Sequence, residues 1–399
     1  MNEKLRQQRH VVAACYLGWT LDAFDFFIMV FVLRDIARSF TTSITAVTWA
    51  ITLTLAMRPV GAFVFGRLAD RFGRRPTLMA NVLTYSILEF ASGFAPDLTV
   101  FILLRALYGI AMGGEWGVGA SLTMESIPTK WRGTVSGILQ AGYPSGYLLA
   151  SILYLAMPLL GWRGMFMVGA VPALLVFYIR RNVPESPDWA ARRTEPRVGF
   201  ATTIGRHLPL AVYAIITMTA FNFFSHGTQD LYPSAFLGGQ HKFSIATIST
   251  IAIIYNLGAM VGGLLFGTLS QRIGRRLAIV IAALLSLPVL PLWAFGATPL
   301  ALGLGAFLMQ VCVQGAWGVI PAHLNEISPP EIRGTFPGVV YQLDNLLASA
   351  NATIQSMIAD RMGHNYSYAL AGVAGVVAVA IALLIGFGGE ARHRTMGGD

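Results

Sequence analysis

Displaced by 201 residues, the sequence lies on itself. Gly66-x-Leu68 falls on Gly267-x-Leu269, Arg71-x-Gly73-Arg74-Arg75 on Arg272-x-Gly274-Arg275-Arg276, and Trp116-Gly117-Val118 on Trp317-Gly318-Val319. Glu125 falls on Glu326, and Arg132-Gly133-Thr134 with Gly137 falls on Arg333-Gly334-Thr335 with Gly338. One constant offset over half the chain restricts the fold to two related halves, and a long repeat outranks any local pattern as a fold signal. Each half is strongly apolar. With 55% hydrophobic and 12% charged residues and a mean hydropathy of +0.61, the chain lies outside the balance of a soluble domain.

At about 20 residues per span, each half holds six apolar runs: 11–33, 45–66, 77–95, 98–121, 133–157 and 164–180, then 208–230, 244–267, 277–296, 299–321, 334–358 and 366–388. The longest connection, 181–207, has Pro184, Pro187 and Pro196 among five arginines and separates a half at 1–180 from one at 208–399. This predicts an all-α integral membrane protein of twelve transmembrane helices in two pseudo-symmetric six-helix halves, with a site between them near the midplane. Glycine pairs such as Gly133 and Gly137, Gly142 and Gly146, or Gly258 and Gly262 read as helix-packing contacts.

The net charge of +9 is unevenly placed. Of the 28 Lys and Arg residues, 21 lie on the side of the N-terminus, five on the other side, and two, Arg58 and Arg105, within spans. This is the positive-inside pattern, which puts both termini in the cytoplasm and argues for a bilayer rather than a nucleic acid as the partner of the charge. Cys15 and Cys312 lie in apolar runs and build no disulfide framework. The first run passes Val30 without an Ala-x-Ala-like site and reads as a retained span. None of Lys4, Lys130 and Lys242 follows a glycine, so there is no phosphate loop, and His-Glu-x-x-His and Gly-x-Ser-x-Gly are also missing from the sequence. Enzyme chemistry, a cofactor and a metal are therefore not expected. Nucleotide-driven chemistry by this chain is not expected either, and a channel and a substrate sensor are among the classes a membrane-spanning chain could belong to.

Polar residues inside spans are costly and mark binding or relay sites. Asn222, Ser225, His226, Gln229 and Asp230 fall at i, i+3, i+4, i+7 and i+8, so they share one helix face in the seventh span. Asp22 and Asp25 lie near the middle of the first span, three residues apart, where repulsion and desolvation suit one of them to carry a proton. The offset pairs Asp25 with His226, which predicts an acid and an imidazole on one central cavity. The alternative is that Asp22 and Asp25 pair with Arg58 or Arg105. An anionic substrate needs a fixed cation, and a guanidinium grips a carboxylate through two parallel hydrogen bonds. Arg58, halfway along the second span, and Arg105, in the outer half of the fourth, are the candidates, each otherwise a structural partner of Asp22, Asp25 or Glu115. Glu115 is a candidate for proton release or a gate pair, whereas Glu89 is expected to reach water at the outer end of its helix. Tyr341, Gln342 and Asn345 of the eleventh span, with Gln140 and Tyr143 of the fifth, can donate hydrogen bonds to a hydroxyl or keto oxygen of a small acid; the competing account is that they bond helix to helix, and for Asn345 the two stand level.

The stretch Asn222-x-x-Ser225-His226-x-Thr228-Gln229-Asp230 resembles the seventh-helix signature of the lactate/pyruvate:proton symporters, related to the sialate:proton symporters of the major facilitator superfamily. Ser234 stands where that pattern has Thr. Gly66-Arg67-Leu68-Ala69-Asp70-Arg71-Phe72-Gly73-Arg74-Arg75-Pro76 is similar to the superfamily's loop between helices 2 and 3, which implies a gate latch involving Asp70, Arg71, Arg74 and, from the fifth span's start, Arg132. Gln271 stands where the second copy would have the acid, so a weaker latch is expected there. Arg105-x-x-x-Gly109 is similar to a fourth-helix motif linked to proton coupling. The resemblance implies a monomeric secondary transporter of a bacterial inner membrane that moves a small carboxylate, lactate or pyruvate first, together with a proton. Sialic, aromatic and dicarboxylic acids are the alternatives.

Overall fold

The structure, a computed structural model, describes residues 3–193, 200–390, 392 and 396, without the side chains of 44 and 45. Pro196 and Arg197 of the expected linker lie outside the described residues. Among the described residues eight helices are long and apolar enough to cross a membrane, and a bent pair makes a ninth. Three more crossings are more polar or broken. The order is α1 (Glu3–Phe31), α2 (Ile44–Phe72), α3 (Arg74–Ser92), α4 (Leu98–Ser126), α5 (Arg132–Gln140 and Gly142–Tyr154) and α6 (Met157–Val168 and Ala173–Asn182). The second half follows as α7 (Leu208–Gln229), α8 (Ile245–Ile273), α9 (Arg275–Leu285 and Leu290–Phe295), α10 (Pro299–Trp317 and Ile320–Ile327), α11 (Phe336–Ala348 and Asn351–Arg361) and α12 (Tyr366–Phe387). Several of these are broken where the sequence reading has single rods, and Pro172, Pro288, Pro291 and Pro321 sit at or beside breaks, where a missing N–H interrupts the ladder. Beyond Leu231, α7 continues as wide π-helical turns over Tyr232–Gln240, past its expected end at 230.

The repeat extends to the helix caps. Ser43 Oγ accepts from Ala46 N at 3.1 Å and Ser244 Oγ from Thr247 N at 3.2 Å, and these caps are 201 residues apart. Asp97 caps α4 through Val100 N at 2.9 Å, and Thr298 caps α10 through Ala301 N at 3.2 Å, again at that offset. Between α2 and α3 the chain reverses at Gly73, with φ of 111°, and between α8 and α9 at Gly274, with φ of 97°. A side chain is strained in that region, so the tight turn needs glycine.

Six spans per half bring both termini to one end of the molecule, here called the terminal end. Lipid-facing residues such as Leu159 and Phe387 are 89% and 88% exposed, as expected of a surface that meets hydrocarbon. Inside, α2 and α4 touch along their backbones: a Cβ on Gly113 would lie 2.0 Å from the Arg58 carbonyl oxygen. That contact sets the backbone of Arg58 directly against α4. Trp19 and Trp116 leave the core of the first half and pack with Trp317 and Tyr341 of the second.

Candidate functional site

At the terminal end the two halves are sealed to one another. Asp70 at the end of α2 accepts from Gly334 N at 2.8 Å and from Thr335 Oγ1 at 2.5 Å, across the interface. The same carboxylate pairs with Arg74 at 2.9 Å, and Arg74 also holds Glu125 at 2.9 Å. At the offset, Arg275 holds Glu326 at 2.9 Å. Gln271, expected to latch weakly, accepts from Gly133 N at 2.8 Å and donates to the Thr129 carbonyl at 2.7 Å, so each half is hydrogen-bonded to the other. Arg132 Nε donates to the Met124 carbonyl at 3.0 Å, and Arg71 lies over the Phe72 ring at 5.2 Å. Arg333 pairs with Asp188 of the connecting segment at 2.7 Å.

Above this seal lies a cavity of about 460 Å³. Its floor is aromatic: Tyr341 has the ring of Trp116 4.5 Å away on one side and that of Trp317 5.8 Å away on another, the two tryptophans being repeat partners. The lining runs from that floor to Thr52, Ser349 and Asp230, so the cavity opens toward the end opposite the termini. On its wall the structure assembles Arg58, Gln140, Tyr143, Tyr341 and Asn345 with Asn222, His226, Gln229 and Asp230 of the α7 stripe. Arg58 is 6% exposed, its buried Nε and Nη2 have no hydrogen-bond partner among the described residues, and it makes no ion pair there, although the carboxylates of Asp22 and Glu115 lie near enough behind it to feel its charge. His226 Nδ1 lies 3.1 Å from both Asp230 oxygens, and the two side chains are 41% and 39% exposed. A smaller chamber of about 180 Å³, walled by Phe27, Tyr147, Tyr255 and Asn256, shares Tyr143, Gln229, Asp230 and Gln314 with the main cavity.

Other expected members lie elsewhere. Asp22, Asp25 and Glu115 are buried inside the first half and absent from the cavity lining, and their carboxylate oxygens have no hydrogen-bond partner among the described residues. This corrects the expectation that Asp25 faces His226 across the cavity. With 3.6 residues per turn, roughly 100° each, Asp25 is turned about a third of a turn away from Trp19 and Phe26, the α1 residues on the lining. Under the offset, the α7 lining residues match Leu21, Phe24, Asp25, Ile28 and Met29, and the last four of these are buried. The opening helices of the two halves thus present different faces to the cavity. Glu89, expected to reach water, is fully buried and pairs with Arg105 at 2.7 Å. Arg105 is occupied further by Ser92 Oγ at 2.8 Å and the Tyr108 ring at 4.1 Å, which leaves it off the cavity wall. A Cβ on Gly169 would sit 2.4 Å from Glu89 and 3.2 Å from Asp25, so the two acids are neighbours. Gln342 is buried, and its amide atoms have no partner.

Sequence reasoning missed Trp19, Gln310, Gln314 and Asp344. Asp344, fully buried, accepts from Asn222 Nδ2, and Gln310 bonds Gln229 at 3.2 Å. Gln310 and Gln314 are four residues apart in an apolar helix, which was a usable signal. That Asp344 belongs with Asn222 appears only when α7 packs on α11.

The sequence pattern of the Major Facilitator Superfamily matches residues 15–230 and 215–395. A "Carboxylic acid transporter protein homolog" of Saccharomyces cerevisiae is 28% identical over 87% of this chain, which spans 60% of that relative's length. The "Sialic acid transporter NanX" of Escherichia coli is 28% identical over 95% of this chain and 94% of its own. Among solved structures, the proton:xylose symporter XylE bound to 6-bromo-6-deoxy-D-glucose superposes with a TM-score of 0.81 at 19% identity, covering 98% of both chains.

Proposed function

This chain belongs to the Major Facilitator Superfamily and is a multi-pass secondary transporter, and from that premise we propose proton-coupled symport of a small monocarboxylate, lactate or pyruvate first, by alternating access. The observation that carries this reading is Arg58, a buried guanidinium lining the cavity, with two nitrogens that have no hydrogen-bond partner and no ion pair among the described residues. A buried cation without a direct ion-pair partner is costly even with Asp22 and Glu115 nearby, and an incoming carboxylate offsets that cost through paired, charge-assisted hydrogen bonds. His226 and Asp230, partly solvated beside it, take up the proton from the open side. Asp22, Asp25 and Glu115, a buried reserve of acids in the first half, exchange protons with the cavity as it closes. Once substrate and proton are bound the cavity is closer to neutral, and occlusion becomes less costly.

The arginine-rich terminal end is the cytoplasmic side of a bacterial inner membrane in this reading, so the state described is outward-facing. Residues 1–180 and 208–399 are the two rocking halves and 181–207 the cytoplasmic linker. Asp70, Arg71, Arg74 and Arg132 form the inner gate. No cofactor takes part, and the working unit is a monomer. The cavity volume, with a relative named as a sialic acid transporter, favours a larger acid as the second reading. The test is uptake into proteoliposomes of lactate, pyruvate, sialic acid, an aromatic acid and a dicarboxylate, with and without an inward proton gradient. At least one acid is expected to accumulate only with the gradient. Arg58→Lys, which keeps the charge and loses the bidentate fork, is expected to raise its KM about tenfold or more. Gradient-independent uptake, or an unchanged KM in Arg58→Lys, refutes the reading.

A further inference from the structure

An amide offers a ligand a donor or an acceptor, depending on which end the protein has already engaged. Along the cavity those choices are made by neighbours. The Thr228 hydroxyl donates to the Phe224 carbonyl at 2.9 Å, so its oxygen is left to accept, and Gln310 Nε2 donates to it at 3.2 Å. Gln310 therefore turns Oε1 to Gln229, whose Nε2 donates to it at 3.2 Å and to Ser225 Oγ at 3.0 Å. Both N–H bonds of Gln229 are spent within the wall, and Oε1 is the end left for a ligand. Gln314 Nε2 donates one of its two N–H groups to Ser225 Oγ at 3.3 Å. Asn222 Nδ2 is engaged by Asp344, which lies fully buried behind the wall. Gln140 Oε1 has no donor among the described residues but is itself buried, so it offers a ligand no acceptor here. The sequence suggested a donor-lined site; in the structure the N–H groups of Gln229 are used within the wall and the Nδ2 of Asn222 is drawn to Asp344, which leaves the carbonyl oxygens of these two residues as the ends available to a ligand held at Arg58.

The geometry points to a carrier that selects, among carboxylic acids, those bearing O–H donors beside the carboxyl group: 2-hydroxy and polyhydroxylated acids over the matching 2-oxo acids. This rests on the carboxylate reading above and narrows it. With the acid held at Arg58, a hydroxyl donates to these oxygens, whereas a keto oxygen would face them unpaired after losing its water. Asp344 is the positioning residue for Asn222, and Thr228 is the positioning residue for Gln229 through Gln310.

The test is titration of the purified full-length chain with lactate against pyruvate and gluconate against 2-oxogluconate, read by the fluorescence of Trp19 and Trp317 in the cavity wall. Each hydroxy acid is expected to bind at least about tenfold more tightly than its oxo partner, the scale of discrimination when a site built for a hydroxyl is left unpaired. Thr228→Val, similar in shape, frees Gln310 and Gln229 to turn and is expected to bring the ratio toward one. Asp344→Asn, which lets Asn222 turn, is expected to do the same in protein that retains its thermal transition. Equal binding within each pair, with both lost in Arg58→Leu, overturns the selectivity and leaves the carboxylate reading standing. No binding of any acid overturns both. Equal weakening of both members by Thr228→Val and Asp344→Asn overturns the positioning roles and marks those residues as structural.

Discussion

Replacing Asp70 with alanine tests the seal at the terminal end in energetic terms. The carboxylate takes two hydrogen bonds from the opposite half, Gly334 N at 2.8 Å and Thr335 Oγ1 at 2.5 Å. Hydrogen bonds to a charged group contribute about 1.5–3 kcal/mol each, so losing both removes about 3–6 kcal/mol from the sealed state and little from a state in which the halves have separated. At about 1.4 kcal/mol per tenfold, the lower bound raises the population open at the terminal end about a hundredfold. The first half keeps its integrity, because Arg74 retains Glu125 at 2.9 Å and is not left as a buried unpaired cation. Gln271 and the Arg333–Asp188 pair remain, so the shift is a bias and not a collapse. The assay is thiol labelling from the terminal side at Ser121→Cys, a position whose hydroxyl bonds the Arg333 carbonyl at 2.7 Å inside the seal, in a chain with Cys15 and Cys312 changed to alanine. The labelling rate follows the open population and is expected to rise about a hundredfold in Asp70→Ala. A rise below threefold refutes the latch.

His226→Ala, which removes the partner of Asp230 on the cavity wall, is expected to abolish the pH dependence of uptake while leaving folding intact, and normal accumulation in a pH-jump assay counts against the imidazole's role. Glu185 lies in the connecting segment and accepts from Arg74 N at 2.9 Å; burial holds its carboxyl above the usual value despite those backbone hydrogen bonds. Because the folded value exceeds the unfolded one, its stabilising contribution is full below the ordinary glutamate range and falls as pH rises through the folded value. Glu185→Gln is expected to flatten that part of the curve of Tm against pH, and an unchanged curve counts against it.

The fold was legible in the sequence to an unusual depth because a repeat carries its own register. The offset that joins Arg74 to Arg275 and Glu125 to Glu326 reappears as two matching buried ion pairs. It also reappears in the caps at Ser43 and Ser244, residues too ordinary to single out alone. The α7 stripe was legible because polar residues at i, i+3, i+4 and i+7 share a face whatever the helix packs against. The same argument failed for Asp25, since periodicity says which residues share a face and not which way that face turns. Arg105 and Glu89 were misplaced for a related reason. Both read as accessible by depth along the helix, and both are consumed by a partner on an adjacent helix, at a distance only packing sets.

Taken alone, the sequence determined that the chain crosses a membrane many times, that it does so as two copies of one pattern, and that a polar face interrupts the apolar surface of the seventh helix. Those are properties of composition and spacing, local to each segment. Tertiary structure decided which of two buried arginines lines the cavity without a direct ion pair, which acids are walled away from it, and which end of the Gln229 amide is left for a ligand. Those outcomes depend on the rotation of one helix against another and on the hydrogen bonds formed across that contact. No single segment carries that information.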